Sequence, residues 1–162
     1  SAVRSPRLSV IGIAMFVWAL DAAAKQWALN ALSGGRVIPL IGDLVQLHLT
    51  ANSGAAFSMG TGVTWVFTLV ATCVIGFIVW LSAKLVHPWW VIGLGGLMGG
   101  AIGNLTDRLL RPPAFGSGHV VDFIAFPHFP VFNVADMAIV GSVALMFLAS
   151  WRNIPVTRSS DV

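Results

Sequence analysis

The chain has 162 residues, of which 57% are hydrophobic and only 9% are charged, and its mean hydropathy is +0.86. Soluble domains carry about 25% charged residues, so this composition excludes an ordinary water-soluble domain and predicts one that lipid covers. The net charge of +3 is too small and too scattered for a nucleic-acid surface. The single cysteine, Cys73, excludes an intrachain disulfide and a cysteine-based metal cage.

Four apolar stretches are long enough to cross a membrane as helices, which takes about 20 residues each. The first could instead be a cleaved signal peptide, because Arg4 and Arg7 precede it and Ala22-Ala23-Ala24 is similar to a cleavage site. We predict an all-α membrane protein, with four transmembrane helices in a single domain over residues 1–162. The predicted spans are residues 8–29, 63–83, 88–106 and 131–151.

Lysine and arginine predict the orientation, because they are enriched in cytoplasmic segments of membrane proteins. We predict that both termini are cytoplasmic and that residues 30–62 and 107–130 lie outside. In the first outer segment, residues 37–50 combine Ile, Val and Leu with turn residues, which predicts short strands at the membrane surface. The cytoplasmic segments then hold Arg4, Arg7, Lys84, Arg152 and Arg158, and the outer segments hold Arg36, Arg108 and Arg111.

The third predicted span is rich in glycine at helical spacing. Two series, Gly95-Gly99-Gly103 and Gly96-Gly100, recur every four residues, so each series lies along one helix face. Small residues on a face let another helix approach closely. We therefore predict tight helix packing here, which would also bring the polar end of this helix to its neighbours.

Polar residues are few and cluster near the outer ends of the predicted spans. Asp21 and Lys25 are four residues apart, which suits an intrahelical ion pair. Either the two charges only neutralise each other, or Lys25 orients a neighbouring backbone or carboxylate. Asn104, Asp107 and Arg108 share a face of the third span.

Two aspartates could form a catalytic pair. Asp136 shares a helix face with Asn133, and Asp122 lies in the preceding outer loop, which a re-entrant return could bring alongside. Two close carboxylates in a poorly solvated site share one proton. One can then activate water while the other protonates the leaving group. The alternatives are that Asp136 pairs with Arg108 and that Asp122 caps a loop.

Five sequence blocks, in order and over nearly the whole chain, resemble those of the lipoprotein signal peptidase family, also called signal peptidase II. One departure is Ala24, where a hydroxyl residue is expected before the lysine. The blocks are Asp21-Ala-Ala-Ala-Lys25, Asn52-Ser-Gly54-Ala-Ala-Phe57, Gly99-Gly-Ala-Ile-Gly-Asn104-Leu-Thr-Asp107-Arg108, Val120-Val-Asp122-Phe and Phe132-Asn133-Val-Ala-Asp136.

The resemblance implies an aspartyl endopeptidase, a hydrolase of lipoprotein maturation in the bacterial cytoplasmic (inner) membrane. It implies cleavage of diacylglyceryl-modified prolipoproteins just before the lipidated lipobox cysteine, near the extracytoplasmic face. It further implies an antibiotic target that binds globomycin-type cyclic peptides. We also expect a monomer without metal or cofactor. Asp122 and Asp136 would be catalytic, and substrate-binding or dyad-supporting roles would fall to Asn52, Gly54, Asn104, Arg108, Asn133, Asp21 and Lys25.

Three other functions fit parts of the sequence. Ser53 or Ser58 could act as a nucleophile with Lys25 as its base. A metal site could use three ligand types within ten residues, His119, Asp122 and His128. A small transporter or proton channel could relay ions through intramembrane Asp and Lys, although such proteins often show inverted repeats and we find none.

Overall fold

The structure is a computed structural model that describes residues 3–52 and 63–158. It is mostly helical, with a small sheet at one end of the helices. In chain order the elements are α1 (Pro6–Ala31), a short 3-10 helix (Ser33–Gly35), β1 (Val37–Ile41), β2 (Val45–Asn52), α2 (Thr64–Ser82), α3 (Pro88–Leu110), β3 (Val120–Ala125) and α4 (Val134–Trp151).

Three helices of the described residues, α1, α2 and α4, are long and apolar enough to cross a membrane. Large apolar side chains on their surfaces are exposed, among them Phe16 (68%) and Val140 (69%), as expected where lipid is the solvent. Helix α3 has 23 residues and packs against the other three helices. That α3 also spans the membrane, giving four spans, stays a prediction.

Two predicted helix boundaries differ from the structure by more than two residues. Helix α3 continues to Leu110, four residues beyond the predicted end of the third span, so Asp107 belongs to a helix. The helix ends there because Pro112 and Pro113, which follow its C-cap, cannot continue it. Helix α4 begins at Val134, three residues later than predicted, because the Asn133 side chain caps its first turn.

The glycines of α3 allow two helices to approach, as predicted. A Cβ at Gly99 would lie 2.7 Å from the Ala14 carbonyl oxygen of α1, and a Cβ at Gly100 would lie 2.6 Å from the Ala135 carbonyl oxygen of α4. Both distances are shorter than a carbon–oxygen contact allows. Helix α3 is therefore the central helix, with α1 and α4 packed directly on its backbone.

Replacing Gly100 with alanine is expected to destabilise the protein by about 1–3 kcal/mol, the usual cost of overpacking. The added methyl group must push the α4 backbone away at Ala135. Gly141→Ala on α4 is the matched control, because a Cβ there meets nothing within 4 Å. Thermal unfolding in detergent should show a lower melting temperature for Gly100→Ala only, and equal melting temperatures would contradict this packing.

The sheet has the antiparallel order β1-β2-β3. Strands β1 and β2 confirm the strands predicted for residues 37–50. Strand β3 was not predicted, and the expectation that Asp122 lies in a loop is wrong. The first four residues of β3 are all buried, so it lacks the polar–apolar alternation that reveals a half-buried strand.

Two hydrophobic clusters join these elements. Val10, Ile78 and Leu94 belong to the larger one, which holds α1, α2 and α3 together. The smaller one contains Leu32 after α1 and Phe123 of β3. The second cluster fixes the sheet to the end of α1. Strand β3 also contacts α3, and it lies at the end of the bundle where α3 ends and α4 begins.

Candidate active site

The two predicted aspartates both lie at the sheet end of the bundle. Asp122 is on β3 and is 1% exposed, whereas Asp136 is half-buried in the first turn of α4. Between them the chain turns back on itself, because Ile124 and Phe132 pair as an antiparallel bridge. The Phe132 nitrogen donates to the Ile124 oxygen at 3.0 Å. This return brings Asn133, and with it the start of α4, beside β3.

Asn133 and Asp136 form a reciprocal cap at the start of α4. The Asp136 backbone N–H donates to Asn133 Oδ1 at 2.9 Å, and the Asn133 backbone N–H donates to Asp136 Oδ2 at 3.1 Å. Such a capping box satisfies two backbone donors that a helix start leaves free. It also fixes the direction of the Asp136 carboxylate.

Two asparagines connect the two carboxylates. Asn133 Nδ2 donates to Asp122 Oδ1 at 2.7 Å and to Asn104 Oδ1 at 3.0 Å. Asn104 Nδ2 in turn donates to Asp136 Oδ1 at 2.9 Å. Residues from α3, β3 and the start of α4 therefore meet in one hydrogen-bonded network. The Asp122 side of this network is buried, and the Asp136 side is more open.

A buried lysine of α1 contacts this network through Asn104. Lys25 is 1% exposed, and its Nζ is 2.7 Å from Asp21 Oδ2 and 2.9 Å from Asp107 Oδ2. It also donates to Asn104 Oδ1 at 3.2 Å and to the Gly103 oxygen at 3.3 Å. The ion pair expected between Asp21 and Lys25 is present, and Lys25 reaches the asparagine that contacts Asp136. Buried charges require such partners.

Comparisons with known proteins identify the family to which this chain belongs. A sequence model described as signal peptidase (SPase) II matches residues 13–152. The chain belongs to the signal peptidase II family. It is therefore a peptidase, and the family resemblance predicted from the sequence is confirmed.

Named relatives support the signal peptidase II assignment. The lipoprotein signal peptidase of Mycobacterium avium (strain 104) is 50% identical over 141 residues, which is 87% of this chain and 78% of the relative. That of Mycobacterium tuberculosis (strain ATCC 25618 / H37Rv) is 48% identical, over 87% and 70%. A bacterial membrane enzyme solved by the in meso method at 2.3 Å resolution is 27% identical. Its TM-score is 0.77, over 89% of this chain and 88% of that one.

Three further predicted site residues lie around the network or outside the described part. Arg108 is half-buried, attracts both Asp136 and Asp122 electrostatically, and lies 5.3 Å from the centre of the Phe67 ring. The oxygens of Asp136 accept hydrogen bonds from asparagine groups, so pairing with Arg108 does not account for its position. Asn52 ends β2 opposite Val120, and Gly54 lies outside the described residues.

The structure describes the predicted metal ligands, but it does not describe the two serines of the Ser–Lys hypothesis. Ser53 and Ser58 lie outside the described residues, while Lys25 contacts two carboxylates. In the part of the chain that the structure describes, no three His, Cys, Asp or Glu side chains are grouped to hold a metal ion. His128 is exposed and Asp122 is buried, so the predicted ligand set is not assembled.

Asp107 belongs to the site, although the sequence pattern indicated no role for it. Its spacing from Asn104 placed it on the polar face of α3, but no role followed from that. In the structure it is 4% exposed in its side chain and contacts Lys25 and Arg111. The signal that the sequence offered was an acid, Asp107, within four residues of two bases, Arg108 and Arg111, near the end of a helix.

Proposed function

We propose that this chain is an aspartyl endopeptidase that removes signal peptides from diacylglyceryl-modified prolipoproteins, cleaving just before the lipidated cysteine. The observation that carries the proposal is the network in which Asn133 and Asn104 link the carboxylates of Asp122 and Asp136. The lipoprotein substrate is inferred from the names of relatives about 50% identical.

The chemistry requires one proton shared by the two carboxylates. Adjacent carboxyl groups in a poorly solvated site cannot both ionise cheaply, so the pair holds a proton between them. The ionised member takes a proton from water, whose oxygen attacks the scissile carbonyl carbon. The protonated member polarises the carbonyl oxygen and then gives its proton to the leaving amine as the carbon–nitrogen bond breaks, so the pair again holds one proton.

The site's position suits a substrate that is itself held in lipid. It lies where α1 and α3 end and α4 begins, so an inside N-terminus would put it at the extracytoplasmic face. An acylated cysteine and a signal helix could then approach sideways between apolar surfaces. We propose that α3 is the fourth span, that both termini are cytoplasmic, and that the membrane is the bacterial cytoplasmic membrane.

The remaining residues divide by what they contact. Asn104 and Asn133 hold the carboxylates, while Arg108 and Asn52 are proposed to bind substrate backbone. Neither the hydrolysis nor the network requires a metal or cofactor. The protein is proposed to act as a monomer, and a globomycin-type cyclic peptide is the expected inhibitor and would make it an antibiotic target.

Cleavage of a synthetic prolipoprotein peptide tests the proposal. The purified protein should cut the diacylglyceryl-modified peptide before its cysteine and leave the unmodified peptide intact, as mass spectrometry of the products would show. A serine-acylating reagent and a chelator should leave the rate unchanged. Absence of cleavage, or ion flux through protein-containing liposomes without cleavage, would contradict the proposal and favour the transporter alternative.

A further inference from the structure

Two backbone N–H groups, each just before a proposed catalytic aspartate, are held by buried carboxylates. The Val121 nitrogen, preceding Asp122, donates to Asp107 Oδ2 at 3.1 Å. The Ala135 nitrogen, preceding Asp136, donates to Asp21 Oδ1 at 2.8 Å. These contacts fix the backbone on either side of the dyad, one on β3 and the other in the first turn of α4.

A single cation joins the two carboxylates. Lys25 Nζ is 2.7 Å from Asp21 and 2.9 Å from Asp107, and all three side chains are at most 4% exposed. The connection therefore runs from β3 through Asp107, Lys25 and Asp21 to α4 without a break. Because all three charges are buried, separating any of them from its partners would leave an uncompensated buried charge. These three side chains therefore add a second connection between β3 and α4, besides the one through the Ile124–Phe132 bridge and Asn133.

We propose that Asp107, acting through Lys25 and Asp21, is a positioning residue that sets the separation of the two catalytic carboxylates. The inference rests on the proposed function, because it assigns Asp122 and Asp136 as the dyad. A displacement of reacting groups by about 1 Å can lower a rate on the order of 100-fold. Asp107 itself has no assigned contact with substrate, so its effect should be on turnover more than on binding.

Arg111 provides the matched control. Its Nε is 2.7 Å from Asp107 Oδ1, the oxygen opposite the one that contacts Lys25 and Val121, and its side chain is 33% exposed. Arg111→Gln removes an ion pair of Asp107 without interrupting the connection between β3 and α4. A role confined to charge balance would make Asp107 and Arg111 equally important.

The test compares Asp107→Ala with Arg111→Gln in detergent, using the lipidated prolipoprotein peptide. Lys25 and the Val121 N–H both contact Asp107 Oδ2, so alanine removes both contacts, whereas asparagine could keep both through its carbonyl oxygen. We expect kcat to fall at least about 10-fold in Asp107→Ala, with KM within about 3-fold of the wild type. Arg111→Gln should keep kcat within about 2-fold. Hydrogen exchange should accelerate in the peptide containing Val121.

If Asp107→Ala does not fold, the double variant Asp107→Ala/Arg111→Gln keeps the cluster's net charge unchanged and should show the same loss of kcat. Equal kcat values for the Asp107 variants and Arg111→Gln overturn the inference, as does a lower melting temperature without loss of kcat. A wild-type protein that does not cleave the peptide overturns the proposed function instead. The two failures are therefore distinguishable.

Discussion

Asn substitution of either dyad residue, Asp122→Asn or Asp136→Asn, is expected to lower the cleavage rate by at least about 10²–10⁴-fold. That range is the usual contribution of a positioned acid or base, and the proposed mechanism uses one carboxyl group of the pair as the base and the other as the acid. Asparagine has nearly the same shape but can neither take a proton from water nor hold the shared proton. The fold should therefore persist while the chemistry is lost.

The rate is measured with the lipidated peptide, and folding with the melting temperature in the same detergent. Asp43→Asn is the matched control, because Asp43 is exposed in the turn between β1 and β2. It should cleave at the wild-type rate. If either dyad variant kept near-normal turnover, the catalytic assignment of that aspartate would be wrong, and a Ser–Lys mechanism would become the better explanation.

The helices could be predicted well because lipid and backbone chemistry constrain them locally. Apolar length alone located α2. The Asn133–Asp136 spacing predicted a shared helix face, but Asn133 precedes α4 as its N-cap, and the two residues meet through the capping box. The glycine series correctly predicted close packing of α3. Hydropathy could not place the exact helix ends, which depend on the Asn133 cap and on Pro112 after α3.

Strand β3 could not be predicted because its environment comes from distant residues. Buried Val120, Val121 and Phe123 form an apolar run that resembles a membrane-facing loop as much as a strand. Its partners are β2, about seventy residues earlier, and Phe132 after the turn. Only these long-range pairings distinguish a strand from a loop here.

The residues of the site could be predicted from the sequence, but the contacts between them could not. Spacing along α1 and α3 placed Lys25 and Asn104 on polar faces, yet their contact spans 79 positions of sequence. It requires α1 to lie directly on α3, which the glycines permit. A Cβ at Gly103 would lie 2.5 Å from Asp21 Oδ2, so the glycine also makes room for the buried acid. One small-residue face thus serves both helix packing and the charged cluster.

Asn133→Asp is expected to lower kcat by about 100-fold while leaving α4 folded. Aspartate is a good N-cap, so it can still accept from the Asp136 backbone N–H, as Asn133 Oδ1 does at 2.9 Å. It cannot donate to Asp122, which Asn133 Nδ2 contacts at 2.7 Å. A hydrogen bond to a charged group contributes about 1.5–3 kcal/mol, and a third carboxylate adds repulsion.

Asn30→Asp makes the same chemical change at an exposed position near the end of α1 and should keep the wild-type kcat. Circular dichroism and hydrogen exchange of the first turn of α4 would show that the cap survives in Asn133→Asp. A loss of kcat with the cap intact would assign the effect to the end of the side chain that faces Asp122, where an amide donor has been replaced by a carboxylate oxygen. Wild-type turnover in Asn133→Asp would mean that the two carboxylates work without this link, and the network around Asp122 would then serve folding alone.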